Sequence, residues 1–122
     1  MSFSVDVSTH QGGAERIVLS GRLDSNTAPD FEQAAEAVIA SPPGTVILDL
    51  GALEYISSAG LRTLFRAQKS MKARAGKVLM LNPQPPVQKV FDIVKAADVQ
   101  QVFRNVAELD AYLDAMQKQV RE

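Results

Sequence analysis

The stretch TVILDLGALEYISSAGL, residues 45–61, decides the fold. Val46-Ile47-Leu48-Asp49-Leu50 is a nearly continuous apolar run. Such a run is expected of a strand covered on both faces, because an exposed face would demand polar residues at every second position. Beyond it stand two adjacent serines, Ser57 and Ser58, then Ala59-Gly60. Leu61, Leu64, Phe65 and Met71 follow at helical spacing. A doubly buried strand running directly into an amphipathic helix is the repeating unit of a parallel α/β sheet.

The rest of the chain extends the same pattern. Phe3, Val5 and Val7 alternate with polar residues and are expected on one face of a first strand. Gln11-Gly12-Gly13 is a turn, and a second strand lies around Arg16–Ser20, so the chain opens with a hairpin. Gly21-Arg22-Leu23-Asp24-Ser25-Asn26 is expected as a loop. Thr27 with Asp30 has the form of a capping box, before a helix carrying Phe31, Ala34, Ala35 and Val38. Pro42-Pro43-Gly44 stops that helix. Gly76 ends the helix that begins at the serines, and Val78-Leu79-Met80-Leu81 is a further buried strand. Pro85-Pro86 opens a third helix with Val87, Val90, Phe91 and Val94 inward. A short strand is expected near Val102-Phe103. Asn105 and Glu108 cap a last helix with Leu109, Tyr112, Leu113 and Met116 on its apolar face. The order ββαβαβαβα requires parallel pairing with right-handed crossovers after the hairpin. The expectation is one α/β domain over residues 1–122, with a small mixed sheet, an N-terminal antiparallel hairpin strand and four helices.

Bulk properties narrow the functional classes. The 122 residues can bury a core without covalent staples. There is no cysteine, hence no disulfide frame, thiolate metal site or cysteine nucleophile. A net charge of −1 gives no nucleic-acid footprint. No secretory leader is visible at the N-terminus, and no apolar run reaches the ~20 residues of a membrane span. The expected setting is cytoplasmic.

Catalytic constellations fail one by one. His10 is the single histidine, lies beside a glycine-rich turn, and reads as an ordinary surface residue. No phosphate loop of the Walker or dinucleotide type is present. Asp49 is expected to end a buried strand, as a receiver's phosphoacceptor does, but a receiver also needs an acidic pair after its first strand to hold Mg²⁺. The corresponding SVDVSTHQGG has only Asp6. Asp49 is therefore expected to bond to the nearby backbone. Arg62, Arg66 and Lys69 form a basic helix face, read chiefly as solvated surface. No enzyme is expected, because no base accompanies the serines; no metal or cofactor is expected either.

The serines remain. A serine before a helix ordinarily accepts a bond from a free backbone N–H, contributing ~1 kcal/mol. Here the pair also lies at the carboxyl edge of the sheet, where open α/β domains place their sites. Ala59-Gly60 leaves the first turn bare, which invites close approach by another backbone. A helix start, with free N–H groups and partial positive charge, favours phosphate.

Val46–Leu50 followed by Tyr55-Ile56-Ser57-Ser58-Ala59-Gly60-Leu61 resembles the signature of the STAS domain, a βα superhelix, and is similar in particular to the bacterial anti-sigma-factor antagonists. Gly21-Arg22-Leu23-Asp24 resembles the Gly-x-Leu-Asp that follows the family's second strand. The resemblance implies a partner switch. An ATP-binding anti-sigma factor phosphorylates one serine, a PP2C-type phosphatase removes the phosphate, and only the unphosphorylated form holds the anti-sigma factor. Carried over by position, the acceptor is Ser58. Ser57 is the alternative: many relatives have aspartate at that place, and the serine found here instead adds a competing hydroxyl. The partner surface so implied comprises Asp24, Ser25, Asn26, Ser57, Ser58, Ala59, Gly60 and Arg62. A second role within the family, a cytoplasmic subunit of a lipid-transport ABC complex without phosphorylation, stays open on the sequence alone.

Overall fold

Alternation on the strands sorts their side chains onto two faces, and helices cover them unequally. The computed structural model describes residues 3–40, 44–94, 102–103 and 106–121. The elements are β1 (Ser4–Thr9), β2 (Glu15–Leu23), α1 (Ala28–Ala40), β3 (Thr45–Ile56), α2 (Ser58–Ala73), β4 (Lys77–Leu81), α3 (Pro85–Val94), β5 (Val102–Phe103) and α4 (Val106–Arg121). A five-stranded sheet has the order β1-β2-β3-β4-β5. β1 pairs antiparallel with β2, and every later pair is parallel.

Val46, Leu48 and Leu50 of β3 join Ile17, Leu19, Val78 and Met80 under α1, α2 and α3, which contribute Phe31, Leu64, Met71, Val87 and Phe91. The intervening Ile47, Leu79 and Leu81 face the other way, against Leu109 and Leu113 of α4. Burial on both faces explains the missing polar alternation in β3 and β4. Each fully buried leucine contributes about 2 kcal/mol of transfer free energy.

Several local expectations are corrected. β2 continues through Gly21, Arg22 and Leu23 instead of ending at Ser20, and β3 runs twelve residues to the serines. Leu23 is completely buried and pairs with Ile56, so the extra length is bought by burial at the strand end. Two register shifts, between Val18 and Ser20 and between Gly21 and Arg22, let the longer β3 stay beside the shorter β2. Val7 is 48% exposed, although Phe3 and Val5 pack against the core as expected. The capping box does not form. Thr27 Oγ1 turns back, accepting from the Asp24 N–H at 2.9 Å and donating to the Arg22 carbonyl at 2.8 Å.

The close of α2 also differs. The left-handed residue is Ala75, with φ 62°, not Gly76. The Gly76 N–H reaches the Met71 carbonyl at 2.7 Å and the Ala75 N–H reaches Lys72 at 3.0 Å, a Schellman motif. Gly76 sits in a tight place: a Cβ there would push on the flexible end of Met71 at 2.6 Å and stand 3.2 Å from the Gly44 carbonyl oxygen and 3.3 Å from that of Met71. His10 is no ordinary surface residue: its ring is 13% exposed, and Nε2 lies 2.8 Å from Asp110 Oδ1, joining the hairpin turn to α4. Pro42, Pro43 and Asn105, assigned to helix boundaries, lie outside the described residues, as do the side chains of Val94, Tyr112 and Met116.

Candidate functional site

The start of α2 uses its two serines differently. Ser57 is extended (φ −91°, ψ 174°) and is the N-cap; its Oγ accepts from the Gly60 N–H at 3.1 Å. Its own N–H donates to the Leu23 carbonyl at 2.9 Å, and its carbonyl accepts from Leu61 at 2.8 Å. Half-buried and bonded through hydroxyl, N–H and carbonyl, Ser57 is part of the frame. Ser58 is the first helical residue and is exposed. Among the described residues its hydroxyl has no partner, and neither do the Ser58 and Ala59 N–H groups. No acidic residue occupies the first turn of α2. The positive end of the helix dipole is thus uncompensated around an exposed hydroxyl.

Gly60 serves the packing of the chain itself. It is buried, and a Cβ there would stand 2.5 Å from the Leu23 carbonyl oxygen and 2.8 Å from Leu23 Cγ. The backbone that approaches the bare first turn is the chain's own, at the end of β2. The buried Thr63 hydroxyl donates to the Gly60 carbonyl at 2.6 Å and fixes the turn from within. Ala59, partly exposed, stays at the rim.

The pairing of Leu23 with Ile56 brings the Asp24–Asn26 segment beside the serines. Asp24 is half-buried; its Oδ1 accepts from the Asn26 N–H at 3.0 Å and the Thr27 N–H at 3.2 Å. That carboxylate shapes the loop, and it carries the exposed Ser25 and Asn26 at the same sheet edge as Ser58. Arg62, one helical turn beyond Ser58, is exposed. The basic face is not uniform, because Arg66 is ion-paired with Glu32 of α1.

Asp49 behaves as a structural group. Its Oδ1 accepts from the Gly51 N–H at 3.0 Å, while Oδ2 is held by the Arg16 guanidinium, with Nε at 3.1 Å. It lies within β3 and not at its end, seven residues before Ile56, so the likeness to a receiver's aspartate does not hold. One feature went unread in the sequence. The Arg22 guanidinium stacks over the Tyr55 ring, 4.1 Å from its centroid, and Tyr55 is 39% exposed at this edge. Only the parallel register, which sets Arg22 opposite Tyr55, reveals the pair.

The model of the STAS domain matches residues 7–109. The chain is 36% identical over 75 residues to BtrV of Bordetella bronchiseptica, spanning 62% of this chain and 65% of that protein. It is 36% identical over 63 residues to the anti-sigma-F factor antagonist RsfB of Mycobacterium tuberculosis, spanning 52% and 51% respectively. The chain thus covers less than two thirds of the length of either relative. An anti-sigma factor antagonist from Mycobacterium paratuberculosis shares the fold at a TM-score of 0.82, with 24% identity over 93% of this chain and 95% of that one. The chain belongs to the STAS domain family.

Proposed function

We propose that this STAS-domain chain is an anti-sigma-factor antagonist working as a cytoplasmic partner switch. In this reading it is a binding protein. Unphosphorylated, it holds an ATP-binding anti-sigma factor and so releases a sigma factor; phosphorylated on Ser58, it lets go. The observation that carries the reading is the division of labour between the serines. Ser57 Oγ is committed to the Gly60 N–H, whereas Ser58 is exposed at the uncompensated start of α2. The kinship with RsfB favours this role over that of a lipid-transport subunit. No helix among the described residues is long and apolar enough to cross a membrane.

The chemistry is a phosphoryl transfer from ATP. A bond forms between Ser58 Oγ and the γ-phosphorus, the bond to the β–γ bridging oxygen breaks, ADP departs, and the hydroxyl proton passes to a base on the kinase. A PP2C-type phosphatase reverses the state by hydrolysis. The phosphate brings a charge of about −1.5 to −2 against N–H groups that favour it, so the fold tolerates it. Docking does not. A partner seated over this turn must bury or displace a dianion, and a penalty of about 3 kcal/mol is more than a hundredfold in affinity.

The test is binding of wild type, Ser58→Ala and Ser58→Asp to the purified anti-sigma kinase in the presence of ADP. Ser58→Ala is expected to bind as wild type does, and Ser58→Asp to bind poorly while remaining folded. If Ser58→Ala binds no better than Ser58→Asp, the assignment fails.

A further inference from the structure

We infer that Arg62 changes partners when Ser58 is phosphorylated, serving the docking surface in one state and the phosphate in the other. The inference rests on the reading of Ser58 as phosphoacceptor and adds a second component to that switch. Two arginines lie inside α2, and they are not equivalent. Arg66 is held by Glu32 across the α1–α2 contact. Arg62 is exposed and, among the described residues, makes no ion pair. It is the available cation nearest the acceptor along the helix.

Its spacing is the favourable one. Residues four apart face the same way on a helix, and an anion N-terminal to a cation is the better order. Phosphoserine at the first helical position with arginine four residues on satisfies both conditions. The guanidinium fork matches two phosphate oxygens at once, which a lysine ammonium cannot do. Carboxylates that could compete are absent from the first turn of α2. Asp24, on the adjoining loop, already has Oδ1 engaged by two backbone N–H groups. Glu54 is exposed, but it lies on β3 and not on the helix.

The consequence is a double change at one surface. Before phosphorylation, Arg62 offers a cation to an acidic group of the anti-sigma partner beside the exposed Ser58 hydroxyl. Afterwards, the phosphate repels that acidic group and also draws Arg62 back onto the helix. The partner loses a cation and meets an anion in the same event. Because the bridge lies within one turn of a preformed helix, no rearrangement of the fold is required.

The experiment places phosphoserine at position 58 of the full chain during synthesis and follows the Arg62 Nε–H resonance by NMR, assigned through Arg62→Gln. Phosphorylation is expected to shift that resonance and slow its exchange with solvent, leaving Arg66 in place. In parallel, affinities for the purified anti-sigma kinase are measured for phosphorylated and unphosphorylated chains, each with and without Arg62→Gln. Arg62→Gln is expected to weaken the unphosphorylated form by about threefold to fivefold. It is expected to leave the phosphorylated form unchanged, narrowing the ratio between the two by the same factor. An unmoved Arg62 resonance, or a ratio indifferent to Arg62→Gln, overturns the inference while the Ser58 switch stands if phosphorylation still blocks binding. Equal binding of the phosphorylated and unphosphorylated wild-type chains overturns the Ser58 reading itself, and this inference with it.

Discussion

Replacing Gly60 with alanine adds one methyl group to the first turn of α2, and the structure decides its sign. On helix propensity alone the change would stabilise by up to about 1 kcal/mol. The new carbon would, however, stand 2.5 Å from the Leu23 carbonyl oxygen, 2.8 Å from Leu23 Cγ and 3.1 Å from the Leu23 carbonyl carbon. Two of these neighbours are backbone at the buried end of β2 and cannot swing away. Overpacking of this kind costs about 1–3 kcal/mol. Moving the Leu23 carbonyl also disturbs the 2.9 Å bond it accepts from Ser57, at about 1 kcal/mol. The net expectation is a loss of about 2 kcal/mol. The assay is urea denaturation followed by far-UV circular dichroism, with an unchanged m-value showing that stability alone has moved. Gly44→Ala is the control, since nothing lies within 4 Å of a Cβ there; it is expected to be neutral or to gain a few tenths of a kcal/mol. A Gly60→Ala chain as stable as wild type, or more so, would refute the internal role of this glycine and return it to the partner surface.

Two further substitutions test local chemistry. Ser57→Ala removes the acceptor for the Gly60 N–H and is expected to cost about 1 kcal/mol in the same denaturation assay, whereas Ser58→Ala costs no more than about 0.5 kcal/mol. Ala75→Gly relieves a left-handed alanine at the close of α2 and is expected to stabilise by about 1 kcal/mol, raising the thermal midpoint.

The parallel architecture was legible because β3 and β4 are buried on both faces, and only apolar runs such as Val46–Leu50 and Val78–Leu81 satisfy that burial. The helix starting at the serines was legible for the same reason, from the spacing of Leu61, Leu64 and Met71. What each serine does was not. A shift of one residue in the helix boundary exchanges cap and first helical position, and pattern alone does not settle so fine a point. The packing role of Gly60 is not legible in the sequence, because its close neighbour, Leu23, is distant along the chain and reaches it only through the pairing of β2 with β3. The Arg22–Tyr55 stack depends on that same register and on a shift within it. Ala75 eluded expectation because the neighbouring glycine was the natural candidate for a left-handed turn. Gly76 follows it in a tight place between Met71 and the Gly44 carbonyl. His10 looked idle because its partner, Asp110, lies on the last helix.

Phosphate localisation tests the central claim most directly. The chain is incubated with its anti-sigma kinase and ATP, digested, and the segment around the start of α2 is sequenced by tandem mass spectrometry. One phosphate on Ser58, lost in Ser58→Ala and retained in Ser57→Ala, is the predicted result. A phosphate on Ser57, or incorporation indifferent to Ser58→Ala, would contradict it.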